Sequence, residues 1–219
     1  MTRLSDGAAV LREEAAKIGI CLTPWQTERF MAYKDILLEW NKRFNLTAIT
    51  DERDIILKHF IDSLTVWPHL PGGALNIVDV GSGAGFPGIP LKIARPDIQM
   101  TLLDSTNKKI RFLSEAIDIL GLTGTAAIRA RAEEANRLPD MRGRFDIAVA
   151  RAVAPLEKLA GYCLPFIKKG GLVLALKGPG APGEAAEAAE AVKKAGGEVA
   201  GVRPAFFAGY RHYIIIIQK

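Results

Sequence analysis

The chain has 219 residues, 49% of them apolar and 24% charged, with a net charge of +5. At roughly 150 residues per domain this is one domain with an appendage, apolar enough to exclude disorder, and no apolar run approaches the roughly 20 residues of a membrane span. The first six residues carry early charge and no apolar leader core, and two cysteines without CxxC spacing exclude a disulfide framework or zinc site and suit a reducing, cytoplasmic setting.

Residues 1–72 are expected to form a helical extension. Thr23-Pro24 supplies a cap and a proline at the first helical position, with Glu28 soon after. Phe30, Tyr33, Ile36, Leu37 and Trp40 then recur at the three- and four-residue steps of one helix face. A further helix is expected over 54–64, after which Pro71-Gly72-Gly73 punctuates the chain. Residues 73–219 change texture. Apolar runs at 75–80, 100–103, 126–128, 145–149 and 172–176 alternate with helical stretches at 89–94, 107–120 and 155–166. Continuously apolar runs suit strands buried on both faces, and their alternation with helices predicts a parallel sheet with right-handed crossovers. The Ala-, Gly- and Glu-rich segment from Gly178 to Gly197 predicts a solvated helix with Glu184, Glu187 and Glu190 on one face. The runs 198–202 and 213–217 have no long helix between them, so an antiparallel pair at the sheet edge is expected. The predicted fold is α/β: a doubly wound, mostly parallel seven-stranded sheet with an antiparallel edge hairpin.

The richest segment is Asp79-Val80-Gly81-Ser82-Gly83-Ala84-Gly85-Phe86-Pro87-Gly88. A buried strand ends in a glycine turn that opens a helix. Glycines allow the tight turn and a close ligand approach, and the helix start is expected to offer unpaired amides. Gly83-x-Gly85-x-x-Gly88 matches a dinucleotide string, but Gly81 follows the strand directly and Asp79 would set a negative charge beside a pyrophosphate. An acid two residues before the first glycine fits a methyltransferase loop, where a carboxylate can orient the loop and balance a cationic cofactor. Asp104 ends the next strand, about 20 residues on, where an acid hydrogen-bonds ribose hydroxyls; the competing role is a cap for the following helix. Arg129-Ala130-Arg131-Ala132-Glu133-Glu134 follows the third strand, the place of an adenine pocket.

Missing groups narrow the methyl acceptor. Pyrimidine C5 methylation needs a cysteine nucleophile, and Cys163 lies in an apolar helix. Exocyclic amine methylation uses an Asn/Asp-Pro-Pro-aromatic loop, and the loop after the fourth strand is Arg151-Ala152-Val153-Ala154-Pro155. The histidines His59, His69 and His212 are scattered, with His59 expected at a polar rim. An acceptor that is already nucleophilic needs none of these groups; guanine N7, with a lone pair and no proton to lose, is one. A-form RNA hides that edge in its narrow groove, so the target would be a loop or distorted helix. A nicotinamide oxidoreductase, a non-catalytic RNA-binding module and a small-molecule methyltransferase stay open on the residues alone.

Several segments together resemble the RsmG (GidB) family. They are Trp40-Asn41-Lys42-Arg43-Phe44-Asn45-Leu46-Thr47, His59-Phe60-Ile61-Asp62-Ser63-Leu64, the glycine loop with its Phe86-Pro87-Gly88-Ile89-Pro90 extension, Leu103-Asp104-Ser105, Arg151-Ala152-Val153-Ala154 and Leu176-Lys177-Gly178. The resemblance spans almost the whole chain. It implies a class I methyltransferase fold that uses S-adenosylmethionine to methylate N7 of a guanine in 16S rRNA of the small ribosomal subunit (guanosine 527), with no obligate protein partner and no metal. Asp79, Gly81, Ser82, Gly83, Gly85, Phe86, Asp104, Ala132, Glu133 and Arg151 would hold the cofactor. Arg151 would sit beside the transferred methyl; its competing role is a structural pair with Asp79 or Glu133. Lys42, Arg43, Lys58, Lys108, Lys109 and Lys177 flank the motifs and are the candidate RNA contacts.

Overall fold

The apolar runs become seven strands in a computed structural model that describes residues 6–219. The reading of the first residues as lacking a leader falls partly on residues 1–5, outside the described ones. The strands are β1 (Asn76–Val80), β2 (Gln99–Asp104), β3 (Thr125–Arg129), β4 (Phe145–Arg151), β5 (Ile167–Lys177), β6 (Glu198–Phe207) and β7 (Tyr210–Gln218). They form one sheet in the order β3-β2-β1-β4-β5-β7-β6. β1 to β5 pair in parallel, and β7 runs antiparallel to both β5 and β6. β1 lies between β2 and β4, so the crossovers reverse direction there. A crevice opens at such a point beyond the strands' carboxyl ends, where wound sheets bind ligands.

Both faces of the sheet are covered. Successive residues of a strand point to opposite sides. Ile77, Val149 and Leu174 therefore join one core, and Val78, Ala148 and Val173 the other. α5 (Gly88–Ala94) and α6 (Asn107–Leu120) pack on the first face, and α7 (Ala132–Ala135), α8 (Leu156–Cys163) and α9 (Ala181–Lys194) on the second. Fully burying a large apolar side chain contributes about 1.5–3 kcal/mol, so this double burial explains the runs' continuity. Cys163 is buried in the second core. Its thiol is pushed up by desolvation, as an inert core cysteine should be.

The N-terminal residues supply α1 (Asp6–Lys17) and α2 (Pro24–Phe44). α2 opens on a capping box whose partner is Gln26 rather than Glu28: the Thr23 hydroxyl accepts from Gln26 N and Gln26 Oε1 accepts from Thr23 N. Phe30, Tyr33 and Leu37 are fully buried and share the first core with the sheet, so the extension has no separate core.

The helix expected over 54–64 is interrupted. It runs as α3 (Glu52–Ile55), a π-helical turn over Ile56–Ile61, and α4 (Asp62–Leu64). A π turn skews the backbone hydrogen-bond ladder and often marks a functional site. The helix expected over 155–166 stops at Cys163 and tightens into a 3₁₀ turn over Leu164–Phe166, because Pro165 cannot continue it. The edge strands extend to a two-residue turn, Ala208-Gly209, with φ of 45° and 83°. Two positive φ values match the twist of the flanking strands, so no loop separates them. α9 is not fully solvated either: Ala181, Ala185, Ala188 and Val192 face the second core.

Candidate active site

Three cavities adjoin beyond β1, β2 and β4. The first, about 370 Å³, runs from Gly81 past Asp104, Thr106 and Lys109 to Ala132 and Glu133, with Val153 and Tyr162 on its other wall. The third, about 560 Å³, lies between the π turn and the β7 hairpin and is lined by Lys58, His59, Asp62, Tyr210 and His212. A smaller middle cavity, about 210 Å³, joins them between the glycine loop and Thr47, His59 and Arg151. Ala152 lines all three, at φ 55°, a conformation costly for a residue with a Cβ.

The glycine loop is saturated with internal hydrogen bonds. Gly81 N and Ser82 N donate to Leu103 O at 2.8 and 3.0 Å, and Gly85 N and Phe86 N donate to Ser82 O at 2.7 and 3.0 Å. Gly83 N donates to Asp104 Oδ2 at 3.1 Å, and Gly88 N to Asp79 Oδ2 at 2.9 Å. The expected row of free amides is therefore largely consumed. A Cβ at Gly81 (φ 74°) would come within 2.7 Å of Val153 Cγ2, and one at Gly88 within 2.7 Å of Asp79 Oδ2. Below the loop the Tyr33 hydroxyl donates to Ala84 O, so α2 braces it from the extension.

The two acids differ. Asp79 is fully buried beneath the loop, and burial pushes its carboxyl up to about 7. It orients the loop by holding the start of α5 and does not line the cavities. Asp104 lines the first cavity. Its Oδ1 accepts from Thr106 N at 2.8 Å, and its Oδ2 accepts from Gly83 N and from Lys109 Nζ at 3.2 Å. The N-cap position of α6 is Thr106, whose side chain makes no cap bond, and Asp104 reaches only the Thr106 amide just before the helix. A carboxylate has about four acceptor sites, so Asp104 keeps capacity for a ligand hydroxyl.

Arg151, at the end of β4, pairs with neither Asp79 nor Glu133. Its Nη1 donates to Asp62 Oδ2 at 2.8 Å and to the Lys58 carbonyl at 2.9 Å, which the π turn presents. Its Nη2 lies 3.1 Å from His59 Nδ1, and the guanidinium sits 4.9 Å over the Phe86 ring. A guanidinium only donates, so His59 Nδ1 is the acceptor and Nε2 carries the proton toward Thr47 Oγ1 at 2.9 Å. Burial, then the Arg151 charge, lowers the His59 pKa to about 4, which keeps the ring neutral. His59 is thus buried and stacked on Phe86 at 4.4 Å, rather than at a polar rim. Asp62 is also bound on its other oxygen, where His212 Nδ1 donates to Oδ1 at 2.7 Å.

The chain has relatives in sequence and in fold among known proteins. The family model for rRNA small subunit methyltransferase G matches residues 26–213. The ribosomal RNA small subunit methyltransferase G of Acetivibrio thermocellus is 44% identical over 96% of this chain and 87% of its own length. That of Pelotomaculum thermopropionicum is 46% identical over 97% of this chain and 90% of its own. The chain belongs to the rRNA small subunit methyltransferase G family. In fold it resembles a SAM-dependent methyltransferase from Aquifex aeolicus, with a TM-score of 0.57 at 17% identity over 77% of this chain and 94% of that one. It equally resembles the [4+2]-cyclase SpnF, with a TM-score of 0.60 at 16% identity over 91% and 98%. The wound sheet alone therefore does not decide the chemistry.

For this family member the structure gathers Gly81, Asp104, Ala132 and Glu133 around the first cavity, and Ser82, Gly83, Phe86 and Arg151 around the middle one. Gly85 and Asp79 lie beneath as supports: a Cβ on Gly85 would meet Tyr33 and Ile89. The lysines divide. Lys42, Arg43 and Lys108 are exposed and line none of the three cavities, Lys42 beside Glu39 and Lys108 donating to Phe44 O. Lys58 lines the third cavity, paired with Asp54 and over the Tyr210 ring. Lys109 faces into the first and middle cavities. Lys177 is turned inward: Nζ donates to Ala154 O at 2.8 Å and Glu184 Oε1 at 2.7 Å, pinning the loop after β4 to α9. Its ammonium is committed to that pin instead of a surface phosphate. Sequence reasoning missed Asp62, His212, Tyr210, Thr47, Val153 and Tyr162. Asp62 had a signal, an acid inside the apolar run Phe60-Ile61-Asp62-Ser63-Leu64. His212 had none.

Proposed function

We propose that this chain uses S-adenosylmethionine to methylate N7 of a guanine in small-subunit rRNA. The observation that carries the cofactor assignment is the saturated glycine loop resting on two acids. A pyrophosphate binds where amides are free and positive; here six loop amides are spent and the carboxyls of Asp79 and Asp104 lie close by. That disfavours a nicotinamide dinucleotide and suits a cofactor with a ribose and no phosphate. Asp104 would accept one ribose hydroxyl with its spare capacity, and Ala132-Glu133 and Tyr162 would bound the adenine end. Gly81 would let the cofactor chain pass where a side chain would collide with Val153. Lys109 and the Thr47 hydroxyl, both on the middle cavity, would meet the carboxylate end. When bound, the cofactor supplies an electrophilic methyl group on a sulfonium.

Beside the arriving methyl, on the middle cavity, Arg151 and His59 hold and align and neither is free to remove a proton; the unpartnered His212 Nε2 lines the third cavity and not the middle one. Arg151 stays protonated, the His59 Nδ1 lone pair is spent on Arg151, and its Nε2 carries a proton. An acceptor such as an amine would need a base, whereas guanine N7 needs only alignment with the methyl group. The third cavity would receive the guanine. Residues 1–72 would act as an extension that braces the loop through Tyr33 and shapes the entrance, and Arg43, Lys42 and Lys108 would meet phosphates at its rim. The cytoplasm, where rRNA is made and two free cysteines stay reduced, is the proposed location. Among the described residues no helix is long and apolar enough to cross a membrane.

The test is incubation with methyl-labelled S-adenosylmethionine and, in parallel, naked rRNA, free small subunits and a metabolite extract. Labelled 7-methylguanosine in rRNA is the expected product. A different labelled nucleoside, or label only in metabolites, would overturn the assignment.

A further inference from the structure

His212 is used by nothing in the reading above, yet it lines the cavity assigned to the guanine. It enters from β7, opposite the π turn. Its Nδ1 donates to Asp62 Oδ1, and Asp62 is 2% exposed and anchored through Oδ2 by Arg151. The ring is therefore held in one orientation and, when neutral, in one tautomer. Nε2 then carries a lone pair and has no partner among the described residues. A buried acid that fixes a histidine's Nδ1–H and leaves Nε2 to face a ligand is a recurring way to prepare an acceptor.

We propose that His212 Nε2 accepts the N1–H of the target guanine, and that the buried Asp62 sets it as an acceptor. This rests on the N7 reading. With N7 turned toward the middle cavity, where the methyl group arrives, the Watson–Crick edge lies on the far side of the ring from the sulfonium. Guanine presents a donor at N1 and adenine an acceptor, so a fixed acceptor selects guanine: adenine would set two lone pairs against each other in a partly desolvated site. The bond also strengthens during reaction. Methylation places positive charge on the purine and makes N1–H a better donor, so the contact favours the transition state over the ground state. No proton leaves N1 in the step.

The surroundings set the pH range in which His212 is an acceptor. His212 faces Asp62 from α4, Lys58 and His59 from the π turn, Arg151 from β4, Lys177 from β5 and Tyr210 from its own strand. The hydrogen bond to Asp62 raises its pKa above the ordinary histidine value, against burial and the Arg151 charge, so the acceptor form fills only as pH rises past that raised value. A sulfonium in the middle cavity would add to the opposition. Acid would convert the acceptor into a donor and abolish the contact.

The experiment measures methyl transfer to unmethylated small subunits from pH 5.5 to 8.5, for the wild type, His212→Ala and His212→Gln, with cofactor affinity by calorimetry. His212→Ala should lose about tenfold to a hundredfold in kcat/KM, the cost of one unsatisfied hydrogen bond, with cofactor affinity within about twofold. His212→Gln, whose amide oxygen accepts near the Nε2 position and does not titrate, should recover most of the loss and keep its rate in acid where the wild type falls. Wild-type 7-methylguanosine formation with His212→Ala at an undiminished rate would overturn this inference and leave the N7 reading standing; so would activity that rises as His212 protonates, or glutamine as poor as alanine. Absence of 7-methylguanosine from the wild type would remove both. If His212→Ala does not fold, the pH profile of His212→Gln decides.

Discussion

Asp62→Asn tests the centre of the site, because one buried carboxylate holds Arg151 on one oxygen and His212 on the other. The substitution keeps the shape and removes the charge. Breaking a buried ion pair costs about 3–5 kcal/mol when a lone charge is left behind. Here the Arg151 side chain is 17% exposed and keeps the Lys58 carbonyl, and asparagine keeps one acceptor oxygen. About 2 kcal/mol is the reasoned loss after that discount. At this chain length 1 kcal/mol moves Tm by about 2–4 °C, so calorimetry should show a fall of about 4–8 °C. The new amide would donate toward His212 Nδ1 and transfer the ring proton to Nε2, turning the proposed acceptor into a donor. Methyl transfer should therefore fall at least as far as in His212→Ala, and cofactor affinity should fall less than methyl transfer, because Asp62 reaches the cofactor only through Arg151 on the middle cavity. A Tm within about 1 °C of the wild type, with an unchanged His212 titration by NMR, would show that Asp62 does not hold this network.

Three further outcomes follow from the geometry. Gly81→Val adds a branched side chain at φ 74° where a Cβ already lies 2.7 Å from Val153, and Asp104→Ala removes the proposed ribose acceptor; each should abolish tight cofactor binding by calorimetry in a folded protein, and retained affinity in both would place the pocket elsewhere. Asp79 has a folded pKa raised to about 7 from 3.8, so its stabilising contribution is full below about pH 4 and lost as pH rises through 7. Asp79→Asn should accordingly be more stable, relative to the wild type, at pH 8 than at pH 5 in urea unfolding, and an equal difference at both would refute the burial argument. Charge reversal at Arg43 and Lys108 should weaken rRNA binding and flatten its salt dependence by about one counterion per lost phosphate contact; unchanged binding at two salt concentrations would remove these residues from the interface.

The amino-acid sequence by itself determined whatever is written in local spacing. Continuous apolar runs specify strands buried on both faces, three- and four-residue steps specify the buried face of α2, and Asp79, Gly81 and Asp104 mark the loop and the next strand end within 26 positions. These signals are short-range because a turn, a cap or a strand's burial depends on a few neighbouring residues. Partners across the sheet follow another rule. Asp62 meets Arg151 over 89 positions and His212 over 150, and the Tyr33 hydroxyl reaches Ala84 over 51. Those meetings follow from strand order and from the π turn that aims the Lys58 carbonyl, neither of which has a residue-level signature. The lysines make the same point. Lys177 and Lys108 look alike in sequence, but one ammonium is held inside by Glu184 and the Ala154 carbonyl while the other, on the Phe44 carbonyl, stays exposed. A charge declares what it can bind, and only the packed chain decides whether an internal partner reaches it before a ligand does.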